Sequence, residues 1–306
     1  MESILILLST YNGEAFLREQ LDSIFSQEGV DSQLLVRDDG SKDGSITILN
    51  YYKDKYPGKI DIIIGSNKGP ASSFQELMHE ALRYDFSYFA FCDQDDIWHP
   101  HKLETALDAL LKDDKPCLFF SDYQMIDAEG KMLPTDKHHF KLTLGEALVM
   151  NPSVGCTQVF NRSLLEFACC KDIPNKVLHD WWIYVCCFAL HGNIVYHEEP
   201  LIYYRQHGRN VLGGTKKSFL KKLQDWLYHK NNNLNSLLAR DLYSVLAKED
   251  KINRISRNDL NLIQLCSQYK SSPLKRIVLL LSHSKFKTNN SSVNKGFLLS
   301  VLFGKF

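Results

Sequence analysis

Asp93, Asp95 and Asp96 follow directly on the apolar run Tyr88–Cys92, so three carboxylates gather where a strand would end. In open α/β sheets that carboxyl end is where ligands bind. Like charges this close repel, and the cluster is tolerated when a hard cation or a hydrogen-bond network offsets it. Oxygen ligands of this kind suit Mg²⁺ or Mn²⁺. The plainer alternative is a solvated acidic turn that caps the helix opening near Pro100.

Three further constellations stand at candidate strand ends. Ser9-Thr10-Tyr11-Asn12-Gly13-Glu14 follows the apolar Ile4–Leu8. Backbone amides there can meet an anion, and Tyr11 offers a flat face. Arg37-Asp38-Asp39-Gly40-Ser41 places two acids before a glycine turn. A carboxylate there can accept a hydrogen bond from a pyrimidine N3–H, with an Asx turn capping a helix as the competing reading. Asn67-Lys68-Gly69-Pro70 reads equally as a ligand contact or as a turn before a proline-started helix.

The elements that must position these residues alternate. Ser3–Ser9, Gln33–Arg37, Ile60–Ile64, Tyr88–Cys92 and Cys117–Ser121 read as strands, and Glu14–Gln27, Gly44–Lys55, Pro70–Tyr84 and Pro100–Leu111 as helices. This predicts an α/β fold whose parallel sheet is covered by helices on both faces. Beyond it, Thr143-x-x-Glu146 is a capping-box start, His179–Leu190 a buried helix, and Asn193–Arg205 two short strands. The remainder predicts helices near 216–230, 233–248, 256–269 and 273–282.

At 306 residues with 44% hydrophobic content, the chain forms one large domain or one plus an appendage. The longest wholly aliphatic run, Ile277–Leu281, is too short to cross a bilayer. The start lacks the basic region and cleavage site of a secretory signal, so a cytoplasmic location is expected. Eight cysteines without zinc spacing read as reduced, buried thiols. The balanced total charge hides an asymmetry: residues 214–306 hold 17 Lys and Arg against 5 Asp and Glu, residues 1–213 hold 19 against 31. We therefore expect a catalytic part, 1–213, and a basic helical region, 214–306. The basic region suits phosphate groups or an anionic membrane surface, and no interleaved aromatic platform favours nucleic acid.

Taken together, Ser-Thr-Tyr-Asn-Gly-Glu, Asp-Asp-Gly-Ser-x-Asp-Gly, Asn-x-Gly and Asp-Gln-Asp-Asp-Ile-Trp, in this order, resemble the inverting glycosyltransferases of family 2. The resemblance covers residues 3 to about 210 and implies the GT-A fold, Rossmann-like, with a mostly helical C-terminal extension. His179-Asp180-Trp181-Trp182 and Tyr203-Tyr204-Arg205-Gln206-His207-Gly208 look like the branch that adds L-rhamnose to bacterial surface polysaccharides.

The resemblance implies that Thr10, Tyr11 and Asp39 hold the nucleotide base with Asp38 and Asn67 nearby, and that Asp93, Asp95 and His207 serve a divalent cation, Mg²⁺ or Mn²⁺. Asp180 matches the catalytic base, with a helix N-cap as its alternative. Asp96, Trp181, Trp182 and Arg205 would meet donor or acceptor sugar, Asp96 being a second ligand otherwise. Glutamate often precedes the family's base, and His179 stands there here, which leaves the neighbouring charge open.

The reaction implied is transfer of L-rhamnose from dTDP-L-rhamnose to a lipid-linked saccharide at the cytoplasmic membrane face. The alternatives are a UDP-hexose donor and a catalytically silent binding subunit. A nucleotidyltransferase would need a glycine-rich basic loop after the first strand, which Asn12-Gly13-Glu14 does not supply. In the tail, Phe219, Leu220, Leu223, Trp226 and Leu227 with Lys216, Lys217, Lys221 and Lys222 form a basic amphipathic pattern that suits a bilayer, with packing on the catalytic part or pairing with a second subunit as the alternatives. The stretch from Lys295 to Phe306 could dip into a lipid interface.

Overall fold

The computed structural model describes residues 3–110, 115–170, 177–208, 234–248 and 255–306. Its central strand, β1 (Ser3–Thr10), shows how the sheet is buried. Ile4, Ile6 and Leu8 turn to one face, Leu5 and Leu7 to the other, and all five are excluded from solvent. A strand buried on both sides needs such an unbroken aliphatic run. The neighbouring β4 (Tyr88–Cys92) divides likewise, Phe89 and Phe91 opposite Tyr88, Ala90 and Cys92.

β2 (Asp31–Asp38), β3 (Ile60–Ile64), β5 (Ile97–Trp98), β6 (Cys117–Ile126), β7 (Val159–Asn161) and β8 (Asn193–Arg205) complete one sheet in the order β3-β2-β1-β4-β7-β6-β8-β5. The β3-β2-β1-β4 half is parallel, as the alternation predicts. The other half corrects that expectation: β7 runs antiparallel to both β4 and β6, and β5 antiparallel to β8, so the sheet is mixed. Three-residue and two-residue strands carry too little periodic signal to be seen in the chain. A second correction concerns β8, one strand of 13 residues rather than two short ones. It absorbs Pro200 where its pairing with β6 shifts register.

Helices α1 (Leu17–Phe25), α2 (Ser45–Lys55) and α4 (Lys102–Ala109) cover one face. The other face is covered by α3 (Pro70–Ala81), α5 (Leu144–Ala147), α6 (Arg162–Ala168) and α7 (His179–Ala189). Thr143 caps α5 as expected, its Oγ1 accepting from the Glu146 N–H. The Glu146 carboxylate reaches past the cap to the amides of Lys141 and Leu142.

Four more helices follow: α8 (Leu234–Lys248), α9 (Arg257–Gln268), α10 (Pro273–Leu281) and α11 (Ser291–Leu302). Leu238, Leu242, Ile263, Leu279, Phe297 and Val301 join the same core as Phe89 and Trp182. Contact between the two regions is close at Gly145, where an added Cβ would collide with the Lys285 carbonyl oxygen. The expected boundary at residue 213 and the basic segment 216–230 lie outside the described residues. No described helix is long and apolar enough to cross a membrane. All eight cysteines are thiols; six are buried, whereas Cys169 and Cys170 are half-buried.

Candidate active site

A cavity of about 350 Å³ opens at the carboxyl ends of β1, β2 and β4. Tyr11 reaches it from the end of β1, Asp39 from β2, Asn67 and Gly69 from the loop before α3, and Asp93, Gln94 and Asp95 from β4. His179 and Asp180 enter from the first turn of α7, and Tyr204 from β8. Asp93 and Asp180, 87 positions apart, thus share one enclosure.

One side of the cavity is built around Asp39. Its carboxylate pairs with the buried Arg37 guanidinium at 2.5 Å and accepts the amides of Lys68 and Gly69 at 2.8–3.0 Å. Gly69 adopts φ +80°, a conformation glycine takes without strain, and this aims its N–H at Asp39. The Lys68 amide is shared between the two oxygens, so each already accepts two bonds and a ligand donor would take the place of one half of that shared bond. Asp38 behaves differently: Oδ1 accepts the amides of Gly40 and Ser41, and the side chain is fully buried. It is the Asx turn of the competing reading, not a cavity residue. Thr10 is also withdrawn from the cavity, its hydroxyl donating to Gln94 Oε1 at 2.7 Å. Gln94 accepts the Tyr11 amide too, tying the β1 loop to the acidic loop.

On the acidic side, burial and the nearby charges of Asp95 and Asp180 push the Asp93 carboxyl up to about 7. Asp95 instead pairs with His207, Nε2 to Oδ2 at 2.7 Å, and the His207 ring lies 4.9 Å from that of Phe16. Asp96 is wholly buried: Oδ1 accepts the Arg205 amide, and no nitrogen or oxygen donor reaches Oδ2. Asp93, Asp96 and Cys156 bring their ligand atoms within 4.8 Å of one another. Burial, with Asp96 and Asp93 beside it, raises the Cys156 thiol well above its usual range, so it stays protonated. The grouping differs from the expected Asp93, Asp95 and His207, since Asp95 is drawn to the histidine. The available donors, carboxylate oxygens from Asp93 and Asp95 within the cavity and the orphaned Oδ2 of Asp96 beneath, fit a hard divalent cation.

Burial raises Asp180 to about 6, opposed by hydrogen bonds from the amides of Trp181 and Gly155 and from Asn151. Leu178, not Asp180, is the N-cap of α7. The charge left open beside it is zero: burial lowers His179 to about 3, and its neutral ring stacks on Phe74 at 3.7 Å.

Three expected sugar contacts point elsewhere. The Trp182 side chain is in the core and donates its indole N–H to the Ala168 carbonyl. Trp181 donates to the Ala147 carbonyl and packs against the same core. Arg205 is buried, bonding the carbonyls of Asp95 and Ala128 and the Glu19 carboxylate. Helix rotation for the two tryptophans and burial at the end of β8 for Arg205, which the motif does not encode, make them supports. Conversely, Ser9, Phe74, Gln94, Gly155 and Tyr204 line the cavity without having been singled out. Ser9, Gln94 and Tyr204 stood inside motifs read in the sequence without a role of their own, whereas Phe74 and Gly155 carried no sequence signal.

A parallel half-sheet with a buried acidic strand end, and a carboxylate facing it across a cavity, defines a GT-A glycosyltransferase. The chain belongs to Glycosyl transferase family 2, which it matches over residues 5–167. It is 32% identical to the dTDP-rhamnosyl transferase RfbG of Shigella flexneri over 218 residues, 67% of this chain and 73% of that protein. Among solved structures, Staphylococcus aureus TarS in complex with UDP-GlcNAc superposes with a TM-score of 0.59 at 14% identity, covering 100% of this chain and 93% of that one. The mannosyltransferase PcManGT of Pyrobaculum calidifontis, in complex with GDP-Man and Mn²⁺, gives 0.51 at 15% identity, covering 99% and 86%.

Proposed function

We propose that this chain transfers L-rhamnose from dTDP-L-rhamnose, with inversion, to a lipid-linked saccharide at the inner face of the cell membrane. The observation that carries the transfer is the pairing of Asp180 with Asp93 and Asp95 in one cavity. Asp180, raised to about 6 by burial, is ionised at neutral pH yet basic enough to accept a hydroxyl proton. It takes the proton of the acceptor hydroxyl as that oxygen bonds to the anomeric carbon, while the bond from that carbon to the diphosphate oxygen breaks on the opposite side. The base of the donor lies against Tyr11, with its N3–H donating to Asp39 in place of one half of the shared Lys68 bond and Asn67 alongside. Asp93 and Asp95 would hold Mg²⁺ or Mn²⁺, and Asp96 supports them from below. The ion, when bound, offsets charge developing on the leaving diphosphate. His207 keeps Asp95 oriented.

The choice of rhamnose rests on the similarity to the S. flexneri dTDP-rhamnosyl transferase and on the His179-Asp180-Trp181-Trp182 motif. A panel of nucleotide sugars, assayed by nucleotide diphosphate release with and without Mn²⁺, tests it. The proposal expects dTDP-L-rhamnose to lead the panel; preferred turnover of a UDP-hexose would replace the sugar and keep the transfer, and metal-independent turnover would remove the cation.

A further inference from the structure

Twelve large hydrophobic side chains are exposed among the described residues, and eight of them belong to α10, α11 and the residue after α11. On α10, Leu274, Ile277 and Leu281 recur at helical spacing, with Leu274 74% and Leu281 77% exposed. On and just past α11, Leu299, Leu302 and Phe303 do the same, Phe303 being 61% exposed. The inward sides of both helices are apolar too: Leu279, Phe297 and Val301 are buried in the common core. Folding therefore uses one face of each helix and leaves a second aliphatic face outside. The two helices pack together, and a Cβ on Gly304 would lie 3.4 Å from the Arg276 side chain, so the end of α11 meets the start of α10. Monomeric proteins seldom expose contiguous aliphatic surface without a use for it.

Charge says what covers it. Between Leu260 and Phe306 the chain has seven Lys and Arg and no Asp or Glu. Two copies meeting through this face would bring like charges together, whereas an anionic lipid surface satisfies both the aliphatic face and its cations. We propose that the outward face of α10 and α11 is a docking surface for an anionic bilayer, with the aliphatic side chains entering the headgroup boundary and Lys275, Lys285 and Lys295 at the phosphates. This deepens the membrane-side reading above by naming a surface made of residues other than the basic segment 216–230.

Flotation of the full chain on phosphatidylcholine vesicles, with and without phosphatidylglycerol, tests this without donor or acceptor, so a failed transfer assay cannot mimic a failed docking surface. Wild type should float with the anionic vesicles. Leu274→Asp with Leu281→Asp should lower apparent partitioning at least about tenfold, since each removes an inserted aliphatic side chain. Lys275→Glu with Lys295→Glu should lose binding chiefly at low salt. Leu302→Trp, a fold-neutral probe at an exposed site, should show blue-shifted emission on anionic vesicles only. Because 216–230 is intact in every variant, flotation of the Leu274→Asp, Leu281→Asp protein equal to wild type would overturn the proposal. So would unshifted emission from the Leu302→Trp variant, or a patch-dependent change in oligomer size without vesicle binding.

Discussion

The catalytic part and the C-terminal helices share one hydrophobic core but treat charge in opposite ways. Around the cavity, residues 3–208 bury acids: Asp39, Asp96 and Asp180 are nearly excluded from solvent, and Asp93 is surrounded by Asp95 and Asp180. Along α10 and α11 the cations sit around exposed leucines, and no acid is present after Asp259. Buried carboxylates are costly and hold strong fields for chemistry. Exposed aliphatic surface is costly in water and is relieved by a partner. On the proposals made above, the two regions depart from a stability-only sequence in two different ways, one for a reaction and one for a contact.

The sharpest way to break the comparison is at the base. Asp180→Asn should lower transfer by about a hundredfold or more while the donor nucleotide still binds, read by titration calorimetry. Because Asp180 has a raised value in the fold, its ionised form costs stability above pH 6, so the variant should melt no lower than wild type at pH 8. Changes on α10 should leave transfer to a water-soluble acceptor untouched. A similar loss in both would erase the division. Next in size, Asp95→Asn should cost about a hundredfold in turnover, and a chelator should do the same to wild type. Retained activity in verified absence of metal would remove the cation from the acidic side.

Acidity gives a smaller effect on the same region. With Asp180 as the proposed base, transfer needs it ionised, so kcat/KM should fall as pH drops through about 6 and be about tenfold below its plateau at pH 5. A profile flat to pH 4 would assign the base elsewhere. The seam between the regions can be tested at Gly145, where alanine would collide with the Lys285 carbonyl. Gly145→Ala should destabilise by about 1–3 kcal/mol in one cooperative transition, as overpacking of a shared core does. Two separated melting steps would show the regions to be independent. The smallest effect is expected at His179: neutral and stacked on Phe74, it should tolerate His179→Phe with a loss of only several-fold. A hundredfold loss would give the imidazole a role in transfer.

The strand-end acids, the alternation of β1 through α4 and the tail helices α8 to α10 were legible in the chain because each is a local pattern, whereas α11 was read only as an apolar stretch. Periodicity of two or three to four residues, proline at the first turn of α3 and carboxylates after a strand need no distant partner to be read. The family motifs added Asp180 and His207. Tertiary structure alone decided where the non-local pieces meet. β7 enters antiparallel between β4 and β6 and makes the sheet mixed, yet its three residues carry no period of their own. Which side of α7 faces the cavity sends Asp180 inward to Asp93 and Trp182 into the core, though the two are separated by one residue. Asp38 and Asp39 are adjacent and similar, and only the amides around them make one a turn and the other a cavity wall. Burial, rotation and the shared field of distant acids are properties of the packed molecule, and no segment contains them.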